Sequence, residues 1–297
     1  MKVPPDRRDA LRAALEQAGA LPLPATGTGE VFRYSLDGAA VTLWRTGTVR
    51  VTGKGEGRAV LEPLVEAVAD ASTPALPVDL PRDVPWAGVD ESGKGDYFGP
   101  LVSAAAYVAP DAAQELRSLG VVDSKRLSDG RVAKLEPAIR ELVVPALTVI
   151  APPRYNDLYA SFRRQGRRLN DLLAWAHARS IEDLLEAGLR PGYAIVDQFA
   201  DARVVEGRLM AMTRSLGLRV VQFPRAEADV AVAAASILAR KAFLDWLDRH
   251  GGLPKGAGPA VEERARQIVA SGGEEALGAV AKLHFATTER VLGPSAG

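Results

Sequence analysis

Trp86-Ala87-Gly88-Val89-Asp90-Glu91-Ser92-Gly93-Lys94-Gly95-Asp96-Tyr97-Phe98-Gly99-Pro100 carries a short apolar run into two adjacent carboxylates and then into a glycine-rich turn. Beyond the turn, Leu101 to Val108 reads as a second strand, so the unit is strand-turn-strand. Successive side chains of a strand face opposite ways. Asp90 and Glu91 can therefore share a site only if the strand ends near Asp90 and the turn re-aims Glu91. Gly93, Gly95 and Gly99 permit such a turn. Two neighbouring acids repel, and a divalent cation with oxygen ligands is the usual reason to keep both ionised. A charged strand end in solvent is the competing reading.

A phosphate-binding loop is excluded by spacing. Gly93, Gly95 and Gly99 form G-x-G-x-x-x-G, one residue too long for a dinucleotide fingerprint, and no G-x-x-x-x-G-K-[ST] occurs. The 297 residues suffice for two domains with buried cores. Lys and Arg total 37, as do Asp and Glu, so any affinity for nucleic acid must come from local patches and not from net charge. The chain has no cysteine and only three histidines, which excludes disulfides, thiolate metal sites and a His-rich zinc site. The first residues lack an apolar signal core and no run approaches a membrane span, so a cytoplasmic protein without a membrane partner is expected.

Towards the N-terminus, Asp6 to Ala18 has the apolar spacing of a short helix, followed by a Pro/Gly-rich link. Glu30–Leu36 and Ala39–Arg45 flank an Asp37-Gly38 hairpin turn, and Val49–Thr52 continues as a third strand. With a three-residue second loop, Phe32, Tyr34, Val41, Leu43, Val49 and Val51 share a core face. Arg33, Thr42, Trp44, Arg50 and Thr52 share the other, a surface that suits a nucleic-acid backbone; a solvated sheet face is the alternative. A helix over Leu61–Val68 can cover the core face. A proline-punctuated linker follows, dividing the chain into 1–78 and 79–297 with the boundary near Asp79.

After the opening motif, helices are expected over Asp111–Leu119 and Asp129–Leu142, separated by Asp123-Ser124-Lys125-Arg126-Leu127, with a strand over Ala146–Ala151. Arg154, Arg163, Arg164, Arg167 and Arg168, interleaved with aromatics, form a basic stretch suited to phosphates or a solvated loop. Asn170 is expected to cap a long helix through Ala187, in which His177 reads as structural. Tyr193–Asp197 repeats the logic of Val89-Asp90, an apolar strand ending in an acid, and strand ends are where α/β sheets bind ligands. Asp201 is expected to cap a helix through Leu216, before a strand over Arg219–Phe223. Glu227 and Asp229 precede an Ala-rich helix through His250; each reads either as a helix-end acid favoured by the dipole or as a further metal-site acid. A last helix is expected over Ala260–Ala270.

The motifs DESGKGDYFGP from Asp90, DSKRL from Asp123, YAIVDQF around Asp197, AEADVAVAAASILAR from Ala226, LPKGAG from Leu253 and AKLHFATT from Ala281 together resemble the ribonuclease HIII family. The match spans the whole chain. The resemblance implies an α/β fold: a ribonuclease H-like mixed sheet flanked by helices, preceded by a small α+β domain of the TATA-binding-protein type. It implies hydrolysis of the RNA strand of RNA/DNA hybrids by a two-metal mechanism that leaves 5′-phosphates, with two Mg²⁺ or Mn²⁺ ions held by Asp90, Glu91 and Asp197. Glu227 is taken as the fourth acid, with Asp229 the other choice. Gly93, Lys94 and Gly95 resemble the loop that meets ribose 2′-hydroxyls, and Ser124 and Lys125 are candidates for backbone phosphates. A monomer is expected. Two rivals remain: a ribonuclease HII-type junction nuclease and a non-catalytic hybrid-binding protein. In ribonuclease HII enzymes a tyrosine after a Lys-Gly pair stacks on the junction sugar, whereas here Lys255-Gly256 is followed by Ala257.

Overall fold

The computed structural model describes residues 3, 5–69, 80–197, 217–223 and 225–293. The chain divides into two compact units, Met1–Ala75 and Leu76–Gly297. The boundary expected near Asp79 lies outside the described residues, as do Asp201 and the helix expected through Leu216.

The smaller unit is a four-stranded antiparallel sheet in the order β1 (Leu21–Leu23), β2 (Glu30–Leu36), β3 (Ala39–Trp44), β4 (Val49–Gly53), with helices α1 (Arg8–Gln17) and α2 (Glu56–Ala69). Asp37 and Gly38 both have positive φ, 42° and 79°, as a tight hairpin turn whose twist matches its strands requires. Phe32 lies opposite Leu43 and Leu43 opposite Val49, while Tyr34, Val41 and Val51 form the next rung. This face packs with Leu11, Leu15, Leu61 and Val65 into one core. Arg33, Thr42 and Arg50 form a rung of the other face, so the expected register holds. Strand β1 was hidden in the Pro/Gly-rich link. It is three residues long and contains Pro22, which an edge strand tolerates because its outward N–H has no ladder to join.

In the larger unit, β5 (Trp86–Ser92), β6 (Leu101–Val108), β7 (Val143–Ile150), β8 (Tyr193–Asp197) and β9 (Arg219–Phe223) form a mixed sheet in the order β7-β6-β5-β8-β9. β5, β6 and β7 are antiparallel neighbours, whereas β5, β8 and β9 run parallel. Helices α3 (Pro110–Ser118), α4 (Asp129–Leu142), α5 (Pro152–Arg164), α6 (Leu169–Glu186), α7 (Val230–Arg249), α8 (Pro259–Val280) and α9 (Ala286–Leu292) surround it. One face of β5 joins Trp86 to Ala104, Ile195 and the alanines of α7, and the other joins Ala87 and Val89 to Ala174, Ala178 and Ile181 of α6. Gly88 explains why α7 is Ala-rich. A Cβ there would stand 2.1 Å from the backbone at Ala231 and Val232, so helix and strand meet backbone to backbone.

Several expectations are corrected. β5 does not end near Asp90 but stays paired with β6 as far as Ser92 opposite Val102. The basic stretch is helical in its first part, Pro152–Arg164, with Tyr155 buried on one side and the arginines outside, while Arg167 and Arg168 lie exposed in the connection to α6. α6 starts two residues earlier than expected, and Asn170 does not cap it. The cap is at Arg168, whose N–H donates to Asp171 Oδ2 at 2.7 Å. α8 runs on to Val280 across a kink at Gly273, where φ is 68°. Among the described residues no helix is long and apolar enough to cross a membrane.

Candidate active site

The parallel pairing of β5 with β8 sets Val89 opposite Val196, so the next residues, Asp90 and Asp197, lie side by side at the carboxyl ends of the two strands. Both point to the α7 face. Glu91, one residue on, emerges on the α6 face, where Nε2 of the fully buried His177 stands 3.0 Å from its Oε2. The acids therefore straddle the end of the sheet: pairing through Ser92 keeps Glu91 on the face opposite Asp90, and the expected re-aiming turn does not occur. A cleft of about 470 Å³ opens there, lined among others by Glu91, Asp197, Ser124, Lys125 and Arg240 together with Gly93-Lys94-Gly95.

Burial and then the charge of Glu91 push the Asp90 carboxyl well above the usual range, against the Glu91 N–H, Lys125 and Ser236, which favour its ionised form. Burial also pushes Glu91 up, but the hydrogen bond and charge of His177, with Lys94 and Lys125, outweigh it and hold Glu91 below its ordinary value. With Glu91 ionised, only an Nε2–H on His177 completes their bond. Lys125 is exposed to the cleft; desolvation disfavours its charge, yet Asp90, Asp123, Glu91 and Asp197 together raise it. Its ammonium thus sits among four acids.

Glu227 and Asp229 separate cleanly. Asp229 is buried at the N-cap of α7, where Oδ1 accepts from the Ala231 N–H and from the Trp86 indole N–H, both at 2.9 Å, while Oδ2 faces Arg82 at 3.6 Å. Glu227 sits in the preceding 3₁₀ turn, Ala226–Ala228, and its carboxyl is raised by burial and then by the charges of Asp197 and Asp123. The cap is Asp229, and the acid that feels the cluster is Glu227.

Ser124 lines the cleft, but its hydroxyl accepts from Ser236 at 2.7 Å, which ties the Asp123–Leu127 loop to α7. Arg240 reinforces the tie by donating to the carbonyls of Ser124 and Leu127 and to Asp129, an acid that Lys255 also reaches. Gly93 has φ of 86°, and a Cβ on it would stand 2.1 Å from the Pro100 carbonyl oxygen, so the loop closes only with glycine there. Lys94 Nζ is 4.0 Å from Glu91 Oε1 and Gly95 is exposed. Arg33, Trp44 and Arg50 belong to the smaller unit. Arg33 is held by the Pro24 carbonyl and Thr26 at 3.2 and 3.1 Å, and Arg50 is exposed.

Glu91 and Asp197 line the cleft, with Asp90 buried beside them and Glu227 close enough to feel Asp197. Oxygen donors without thiolates, and with a single imidazole already bonded to one of them, suit hard divalent cations such as Mg²⁺ or Mn²⁺. Each carboxylate for which a partner is seen is also engaged locally: Asp90 Oδ1 by the Glu91 N–H at 2.8 Å, Asp197 Oδ1 by the Ala226 N–H at 3.1 Å, Glu91 by His177. Among the described residues no three acids or histidines converge as a ready set of ligands. His177, Ser236 and Arg240 were missed as site residues. His177 carried a signal, because it occupies the apolar stripe of α6 with Leu173 and Ile181, where an unpaired imidazole would be costly.

A family model described as ribonuclease HII matches residues 87–288. The ribonuclease HIII of Protochlamydia amoebophila is 40% identical over 272 residues, covering 88% of this chain and 86% of that protein. The chain belongs to the ribonuclease HIII family. The Geobacillus kaustophilus ribonuclease HIII is 37% identical over 300 residues, covering 96% of this chain and 94% of the relative. A crystal structure of Bst ribonuclease HIII in complex with Mn²⁺ superposes with a TM-score of 0.65 at 34% identity, covering 98% of this chain and 97% of that one. A family member is a metal-dependent endoribonuclease with a ribonuclease H-like fold, in agreement with the mixed sheet and its acidic end.

Proposed function

We propose that the protein hydrolyses the RNA strand of RNA/DNA hybrids endonucleolytically, leaving 5′-phosphates, with two Mg²⁺ or Mn²⁺ ions held by Asp90, Glu91, Asp197 and Glu227. The observation that carries this reading is the gathering of these acids around the carboxyl ends of β5 and β8, beside a glycine loop, in a chain of this family. When bound, such ions polarise the phosphodiester, activate the attacking water and stabilise the leaving 3′ oxygen. The chain's own residues have separable tasks. Asp90, next to Glu91 in sequence and beside Asp197 in the β5–β8 register, would be one of the groups that hold the ions. His177 orients Glu91 and keeps it ionised. Lys125 offsets the acids' repulsion and offers a cation to the backbone. The Gly93–Gly95 loop presents backbone groups to ribose 2′-hydroxyls, the feature that separates RNA from DNA.

Arg33, Trp44 and Arg50, in the substrate-binding region 1–78, grip the hybrid along its backbone, and Arg163, Arg164, Arg167 and Arg168 in the catalytic region 79–297 add phosphate contacts. The protein acts as a cytoplasmic monomer. Ala257 favours this reading over a ribonuclease HII-type junction nuclease, since a methyl group cannot stack on the junction sugar. Two duplexes of one sequence, one with a single ribonucleotide and one with a run of them, test the choice. Stacking is worth ~1–3 kcal/mol, so the run should be cut about 5- to 150-fold faster, whereas comparable rates favour the junction nuclease.

A further inference from the structure

Among the described residues Lys282 is the one buried lysine, with no exposed surface, and it lies outside the acidic cleft. Its Nζ donates to three main-chain carbonyls of the loop that follows β5: Asp96 at 2.8 Å, Gly99 at 2.6 Å and Phe98 at 3.4 Å. Its stem is fixed from both sides. The Lys282 N–H donates to the Tyr97 carbonyl at 2.9 Å, and Asn156 brackets it by donating to the Ala281 carbonyl and accepting from the Leu283 N–H, both at 3.0 Å.

The loop is also pinned by Gly256, whose N–H donates to Asp96 Oδ1 at 2.7 Å and whose carbonyl accepts from the Tyr97 N–H at 2.8 Å. From the clamped half, the Asp96 N–H reaches back to the Gly93 carbonyl at 3.3 Å, so the clamp sets the shape of Gly93-Lys94-Gly95 at the cleft. Burying an ammonium is costly, and burial pushes this one down to about 7, opposed by Asp96. An apolar side chain would fill the space at less cost, but it could not gather three carbonyls. This points to the loop's shape, not core packing, as what the lysine secures.

We propose that Lys282 is a positioning residue for hybrid recognition: it holds the loop that presents Gly93–Gly95 and never touches substrate itself. The inference rests on reading that loop as part of the substrate surface. The test uses full-length Lys282→Met, which keeps the volume and removes every donor, and Lys282→Gln, which returns two. Amide hydrogen exchange over 94–99 and steady-state kinetics on a hybrid are measured for both. In the Met variant these amides should exchange, and KM for hybrid should rise, by roughly tenfold or more, with kcat within about threefold, and the Gln variant should fall between.

Unchanged exchange and unchanged KM overturn the proposal, as does a loss confined to kcat. Faster exchange at unchanged KM also overturns it, and locates the error in the loop's assignment to the substrate surface. Should the Met variant not fold, native exchange and KM in the Gln variant overturn it equally. A wild-type protein that leaves hybrids intact would instead refute the proposed function, before any variant is made.

Discussion

On the smaller sheet, Arg33, Thr42 and Arg50 form a rung whose arginines keep contact with solvent or with a nearby carbonyl and hydroxyl. At the carboxyl end of the larger sheet the polar groups are driven together, with Asp90 and His177 buried: Asp90 and Glu227 are pushed up, Lys125 is raised by four acids, and His177 is locked to Glu91. The physical difference is what each end can do. A solvated cationic face can hold a polyanion reversibly, at a strength that salt tunes, and has no means of changing covalent bonds. A partly buried group of mutually repelling acids stores electrostatic free energy that a bound cation relieves, which is the condition for metal-assisted chemistry.

The largest expected effects fall on the acids. Asp90→Asn, Glu91→Gln, Asp197→Asn or Glu227→Gln should each reduce turnover by about a thousandfold or more while hybrid binding persists, since under the proposed function each removes a ligand charge at nearly unchanged side-chain volume. Asp229→Ala should reverse the pattern, costing about 2–3 kcal/mol of stability by removing a helix cap and stranding the Trp86 N–H, with far less effect on turnover per folded molecule. Thermal melts and single-turnover rates on the five proteins separate the two classes.

Next in size is a pH effect on stability. Lys282 gives up its proton near 7 in the fold, against an ordinary value of 10.5, so between these limits unfolding takes up a proton and rising pH favours the folded state. Below about 7 the ammonium is charged in both states and its burial cost is carried in full. Asp96 opposes the downward shift, and His284, itself pushed down to about 4, faces the lysine with the Tyr155 ring. Between pH 6.5 and 9.5 the stability of the wild type relative to Lys282→Met should therefore grow by roughly 2–4 kcal/mol, a change that urea denaturation reads directly. A flat difference would contradict the assignment.

Smaller changes are expected further from the acids. His177→Ala should weaken metal affinity or turnover about 10–100-fold, because Glu91 loses the partner that orients it, and titration of activity with Mn²⁺ should show the midpoint moving. The full-length Arg33→Ala/Trp44→Ala/Arg50→Ala variant should raise KM several-fold at unchanged kcat and lower the salt slope of hybrid binding by about 2. An unchanged slope would mean that the smaller sheet does not hold the backbone.

Much of this arrangement was legible in the residues. The hairpin and its register followed from Asp37-Gly38 and strict alternation, and Asp197 showed itself as an acid ending an apolar strand, while Asp90 showed itself as the first acid after an apolar run inside a strand that continues to Ser92. What escaped was set by distant partners. That β5 stays paired to Ser92 depends on Val102 across the sheet, and the role of His177 depends on Glu91, 86 positions away. Glu227 and Asp229 were equivalent as helix-end acids until Trp86 and the Ala231 N–H claimed one of them. Lys282 gave no local sign of burial, because its three acceptors are main-chain carbonyls, which every residue has.

The central claim is that the acids at the end of β5 and β8 cut RNA paired to DNA with the help of a bound divalent metal. It is tested most directly by incubating the purified chain and its Asp90→Asn variant with an end-labelled RNA/DNA hybrid in Mg²⁺, in Mn²⁺ and in chelator. The account predicts internal cleavage of the RNA strand by the wild type with either metal, none in chelator, and none by a variant that still binds the hybrid. Cleavage that persists in chelator, or a variant as active as the wild type, would contradict it.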